Sequence, residues 1–123
     1  MAKRFEDLVA WQLADDLRSR VVRFTAEAPV LYDGKYCDQV RDAASSVPSN
    51  IAEGFCRYGH RDFARFLSIA RASLAETQVR LKDGADRLYL SQREHDELQL
   101  LARRTMVALT RLLTYLRTHP DAP

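Results

Sequence analysis

By residue type, Glu53, Glu76 and His60 are the best candidates in this chain for acid–base chemistry. Two carboxylates can divide the roles of acid and base when their surroundings split their pKa values. Their neighbours argue for structure instead. Ser46, Asn50, Glu53 and Arg57 follow one another at steps of four, three and four, which makes one stripe on a helix. That stripe adjoins an apolar one of Val40, Ala43, Val47, Ile51 and Gly54. Further on, Ser73 and Glu76 interrupt the apolar run between Ala70 and Leu81. A polar seam of Arg41, Ser46, Asn50, Glu53, Ser73 and Glu76 between two helices accounts for all of them. Buried groups of this kind must be satisfied, or they cost about 1–3 kcal/mol each. Helical bundles keep a few satisfied polar groups for specificity, so no catalytic residue is assigned.

Other chemistries lack their residues. A di-metal carboxylate bundle needs Glu-x-x-His pairs on facing helices, and none of the six glutamates has a histidine three residues later. The run His95-Asp96-Glu97 lies at a helix start, where acidic side chains complement the dipole. Cys37 and Cys56 match no metal or redox spacing and read as two free thiols. There is no glycine-rich phosphate loop and no nucleophile elbow. The expectation is a protein without metal, cofactor or enzymatic activity.

These residues need helices to position them, and the punctuation supplies four. The first runs from about Glu6 to Glu27, with Leu8, Trp11, Ala14, Leu17, Val21 and Phe24 at steps of three and four. Ala28-Pro29 ends it, and Tyr32-Asp33-Gly34 is turn chemistry. The second spans about Lys35 to Arg57, before the break at Tyr58-Gly59-His60. The third spans about Arg61 to Arg87, with Phe63, Phe66, Leu67, Ala70, Leu74 and Leu81 inward. Ser91 caps the fourth, and Glu94 completes a capping box. That helix reaches about Thr118. Short connections between long amphipathic helices give an all-α, antiparallel, up-down-up-down four-helix bundle, one domain over residues 1–123.

Composition fits this. The chain has 123 residues, 46% apolar and 29% charged, enough to bury a core in one domain. No run approaches the ~18 apolar residues of a membrane span. The segment MAKRFEDL has no apolar stretch like that of a secretory signal. A cytoplasmic protein with no membrane contact is expected.

Pro48 stands in the middle of the second helix. An interior proline removes one backbone bond and clashes with the preceding turn, at roughly 3 kcal/mol. The helix is therefore expected to bend there, with the polar seam supplying compensation. The whole pattern, Phe5, Leu8 and Trp11, then QVRDAASSVPSNIAEG from Gln39 to Gly54, then Arg57, Asp62-Phe63, Phe66-Leu67, Ile69-Ala70, Ser73-Leu74 and Glu76, closely resembles the 23S rRNA intervening-sequence proteins. The resemblance covers roughly residues 5–90, with its core at 39–76. It implies a four-helix bundle assembling as a ring, typically a pentamer. It also implies kinship with the accessory variability protein of diversity-generating retroelements, a basic pentamer that binds nucleic acid and a reverse transcriptase. The molecular role of most family members is unestablished. Three positions depart from the pattern. Asp42 replaces a usual basic residue, Gly59 a common capping serine, and Ala72 a common glycine before Ser73. An ion pair between Asp42 and Arg41 is one expected consequence.

Assembly and charge carry the remaining expectations. On the fourth helix, Leu101, Thr105, Ala108 and Leu112 fall together, and Met106, Leu109, Leu113 and Leu116 lie about 60–140° round. This apolar arc of about 180° is wider than one core-facing stripe needs. Leu109, Leu113 and Leu116 are therefore expected to form an oligomer interface, with Arg103, Arg104, Arg111 and Arg117 on the remaining surface. Net charge is only +2, yet 16 of the 19 basic residues are arginine. The topology gathers Arg57, Arg61, Arg65 and Arg117 at one end of the bundle, and no acidic residue occurs from Leu101 to His119. These four are the expected contacts to RNA or DNA. The functional expectation is a non-enzymatic, self-assembling bundle, associated with nucleic acid as an accessory or scaffold protein. The alternative is a ring that acts as a protein-binding adaptor.

Overall fold

A computed structural model describes residues 2–119. Helices account for 84% of them, and no strand occurs among the described residues. The long helices are α1 (Val9–Thr25), α2 (Gly34–Phe55), α3 (His60–Asp86) and α4 (Gln92–Thr118), with short 3₁₀ turns at Phe5–Asp7 and Val30–Tyr32. Each helix packs on two neighbours in the cyclic order α1, α2, α3, α4 and back to α1, while the diagonal pairs stay apart. This is an antiparallel four-helix bundle.

The first helix starts later than its apolar spacing suggests. Leu8 is extended, with φ −75° and ψ 126°, so Phe5–Asp7 forms a separate turn. That turn folds back on α1: the Phe5 ring meets Trp11 edge-on at 5.3 Å, and Gln12 Nε2 donates to the Glu6 carbonyl at 2.9 Å. The other starts follow their caps. Asp33 accepts the Tyr36 N–H at 3.1 Å to open α2. The Ser91 hydroxyl accepts the Glu94 N–H at 3.1 Å, and the Glu94 carboxylate accepts the Ser91 N–H at 3.0 Å. Gly59 opens α3 without a side-chain cap, at φ 87°. A serine would be strained in that left-handed region, which is why glycine suits the position.

Pro48 does not end α2, which runs unbroken to Phe55 with the proline ring buried. The i−4 carbonyl deprived of its donor is that of Ala44. Leu17, Val21, Val40, Val47, Ile51, Leu67, Leu74 and Leu81 are fully buried and join one hydrophobic cluster with α4. Helices α2 and α3 pack tightly at Gly54, where a Cβ would lie 2.8 Å from both Phe63 Cδ1 and Phe66 Cβ. The glycine is thus set by the helix–helix distance. Both cysteines are free, Cys37 buried and Cys56 exposed.

Candidate functional site

The polar seam forms between α2 and α3, but with fewer members than the spacing suggests. The Ser46 and Ser73 hydroxyls share a hydrogen bond of 2.8 Å across the helix interface. Asn50 Nδ2 donates to the Ser46 carbonyl at 2.7 Å and to its hydroxyl at 2.9 Å. Thr77, buried one turn beyond Ser73, donates to the Ser73 carbonyl at 2.8 Å. Asn50 thus serves the carbonyl of Ser46 and not that of Ala44.

Three residues assigned to the seam lie elsewhere. Glu53 is on the surface, with its side chain 54% exposed, and pairs with Arg57 at 2.8 Å. Glu76 is also exposed and lies 3.7 Å from Arg80. Each acid has a basic residue four positions on, and that local surface pair takes it out of the seam. Arg41 reaches α1, donating from Nε to the Thr25 hydroxyl at 2.7 Å and from its terminal nitrogen to the Thr25 carbonyl at 3.0 Å. A cation at the last carbonyls of α1 complements the helix dipole. Arg41 therefore does not pair with Asp42, which has no cation partner among the described residues.

The basic end does assemble. A cleft of about 780 Å³ is lined by Tyr58, Gly59, His60, Arg61, Asp62, Ala64, Arg65, Ser68, Leu116 and Arg117. Arg57 and Arg65 both lie over the Phe66 ring, at 4.9 and 4.6 Å from its centre. Arg57 is also held by Glu53, and Arg65 by Asp62 at 2.9 Å. Arg117 reaches across from α4 to the Ser68 hydroxyl at 3.4 Å. His60 contacts the His119 carbonyl, and His119 stacks on Tyr115 at 4.2 Å. Tyr58 is fully exposed at the rim. The lining thus offers several guanidinium groups, one free aromatic face and one carboxylate.

The expected oligomer interface is corrected outright. Leu109, Leu113 and Leu116 are 0%, 1% and 5% exposed and belong to the bundle's own core. A helix seated between two neighbours, here α1 and α3, uses a wide apolar arc within the monomer. The apolar side chains left outside are others, among them Val9 at 61%, Val79 at 64% and Val107 at 49% exposure.

At the opposite end lies a cluster that residue spacing did not reveal. The Asp33 carboxylate accepts from the Tyr89 hydroxyl at 2.6 Å and from Arg87 at 3.3 Å. The Tyr89 hydrogen bond, with the Tyr36 N–H, holds Asp33 below the usual carboxylate range. Tyr36 donates to the Arg80 carbonyl at 2.7 Å, and burial pushes its phenol upward. The signal available in sequence was Asp33 before a helix start, but Arg87 and Tyr89 lie more than 50 residues away. Among the described residues, no group of three or more His, Cys, Asp or Glu is placed to hold a metal ion. No described helix is long and apolar enough to cross a membrane.

Fold and sequence together place the molecule among small all-α bundles of one kind. The family model for the 23S rRNA-intervening sequence protein matches residues 6–111, and the chain belongs to that family. Its fold is similar to that of a solved protein from Bacteroides thetaiotaomicron, described as a protein with unknown function from the S23 ribosomal protein family. The two share 18% identity, with a TM-score of 0.75 over 85% of this chain and 98% of the other. None of the curated proteins matches the sequence.

Proposed function

We propose that this protein is a non-enzymatic, self-assembling helical bundle of the cytoplasm that works as a nucleic-acid-associated accessory or scaffold protein. The observation that carries this reading is the gathering of Arg57, Arg61, Arg65 and Arg117 at one end, three of them lining a single cleft, in a chain whose total charge is only +2. Arginine suits phosphate because its planar donors match phosphate oxygens in pairs. The exposed Tyr58 adds one stacking face for a base. Assembly, for which the family resemblance suggests five copies, would repeat the cleft around a ring and raise its effective affinity. A catalytic role is disfavoured because Glu53 and Glu76 each sit in a separate exposed ion pair.

Fluorescence polarisation with labelled mixed-sequence RNA and DNA tests the reading. Binding is expected at about 50 mM salt and should weaken steeply by about 200 mM, because phosphate contacts release counterions. Light scattering should give several times the 14.1 kDa chain mass. Absence of binding at low salt refutes the nucleic-acid reading and leaves an adaptor ring for a protein partner.

A further inference from the structure

A surface cation meets a ligand most readily where no carboxylate competes for it. The bundle sorts its arginines on that criterion. Arg18, Arg20, Arg57, Arg65, Arg80, Arg87 and Arg93 each pair with an Asp or Glu. Arg61, Arg71, Arg103, Arg104, Arg111 and Arg117 have no carboxylate partner among the described residues, and all six lie on α3 or α4. Elsewhere in α1 and α2 only Arg23 and Arg41 lack one, and Arg41 is held by Thr25.

The register brings Arg71, Arg103, Arg111 and Arg117 to the α3/α4 side of the bundle. On α3, Ser68, Arg71, Ala75 and Gln78 recur at steps of three and four, so they share a face. Both ends of that row touch α4: Ser68 meets Arg117 at 3.4 Å, and the Gln78 carbonyl accepts from Gln99 at 3.0 Å. Arg71 therefore lies along the α3/α4 seam, and its Nε finds no hydrogen-bond partner in the fold. Further along, Arg103 and Arg111 flank a groove of about 400 Å³ with Gln78, Met106, Val107 and Thr110. Arg104 joins them on the side facing α1.

Nothing nearby cancels this charge. The α3 acids Asp62, Glu76, Asp83 and Asp86 each have a basic partner on their own helix or just beyond its end. No acid follows Glu97 on α4. From Arg103 to Arg117 the groove runs roughly 21 Å, at about 1.5 Å per residue. Its lower end meets the cleft at Arg117 and Ser68.

We propose that the α3/α4 groove is a track for a single nucleic-acid strand, continuous with the cleft at the basic end. This rests on the nucleic-acid reading above and extends it, with the cleft as the mouth, Arg103 and Arg111 along the track, and Arg104 beside them on the α1 side of the same ridge. The lining favours a single strand over a duplex. Arginines on the rim meet phosphates, while Met106 and the half-exposed Val107 offer an apolar floor. A single strand presents both phosphates and base faces, whereas a duplex hides its base faces in stacking.

The test is the combined variant Arg103→Gln, Arg104→Gln, Arg111→Gln, titrated with a labelled single strand of about 20 nucleotides and with the matching duplex. Each single-strand phosphate contact contributes about 0.7 to the slope of log affinity against log salt, so losing three should flatten it by about 2. Wild type should prefer the single strand. The matching triple Lys variant should keep the wild-type slope, and circular dichroism should show all three proteins equally helical. Wild-type binding with an unchanged slope in the Gln variant overturns the track and leaves the cleft reading standing. No wild-type binding at all removes the underlying reading, and the track with it. Equal or better duplex binding overturns the single-strand assignment. A fall in assembly mass for the Gln variant at unchanged slope overturns the track in favour of a second copy seated on the same ridge.

Discussion

Ser46 on α2 and Ser73 on α3 meet through their hydroxyls at 2.8 Å, with Ser46 two residues before the proline that interrupts the α2 hydrogen-bond ladder. Asn50 braces this contact from the next turn by donating to the Ser46 hydroxyl and carbonyl. The seam is therefore a small bridge of three side chains. Ser46→Ala or Ser73→Ala should each lower stability by about 1 kcal/mol, since each leaves a half-buried partner short of a bond. In the double variant the loss should be less than the sum, because the two residues share one interaction. Urea melts of the four proteins measure this, and strict additivity would deny the coupling.

Glu53 should behave as a surface residue. Its pair with Arg57 is exposed on both sides, and such helical pairs contribute about 0.3–0.5 kcal/mol. Glu53→Gln should therefore melt within about 0.5 kcal/mol of wild type. The same change frees Arg57 and removes a negative charge near the cleft, so RNA affinity should rise. A large loss of stability would return Glu53 to the interior.

Leu109 and Leu113 should report on folding. Both are fully buried, and trimming a leucine to alanine in a packed core costs about 2–5 kcal/mol. Leu109→Ala should lower the thermal midpoint of the chain at every protein concentration. A variant that kept its midpoint but lost assembly mass would place this leucine at a subunit contact after all.

Asp33 links stability to pH. Its folded pKa is depressed by the Tyr89 hydroxyl and the Tyr36 N–H, so the ionised form favours the folded state. That contribution is present above the unfolded value of about 4 and is lost as pH falls through the lower folded value. Asp33→Asn should melt below wild type at pH 7, and the gap should close in acid as wild-type Asp33 takes up its proton. Circular dichroism melts across pH 2–7 check this, and a gap of constant size contradicts it.

Local signals were legible in the sequence and distant ones were not. The Ser91–Glu94 box, the Tyr32-Asp33-Gly34 turn and the periodic apolar stripes marked the starts of α4 and α2 and the bundle, since each acts within a few residues. The Ser46–Ser73 contact was legible because both serines interrupt apolar faces that must pack together. Arg41 was misplaced because its partner, Thr25, is 16 residues away on another helix. Glu53 was misplaced because a four-residue step to Arg57 serves equally as one stripe of a seam or as a surface ion pair. The leucines of α4 were assigned outward because spacing gives the width of an apolar arc but not the number of helices it faces. Pro48 marked an unusual helix correctly, and α2 continues past it as expected, yet spacing could not show that the ring would be buried.

The central claim is that the basic end holds phosphate. Its most direct test is the salt dependence of RNA affinity for wild type and for the combined variant Arg57→Gln, Arg61→Gln, Arg65→Gln, measured by fluorescence polarisation. The account predicts weaker binding of all sequences alike and a slope flatter by about 2, the share of three single-strand phosphate contacts. Wild-type affinity that ignores salt, or a slope untouched by the three substitutions, would contradict it.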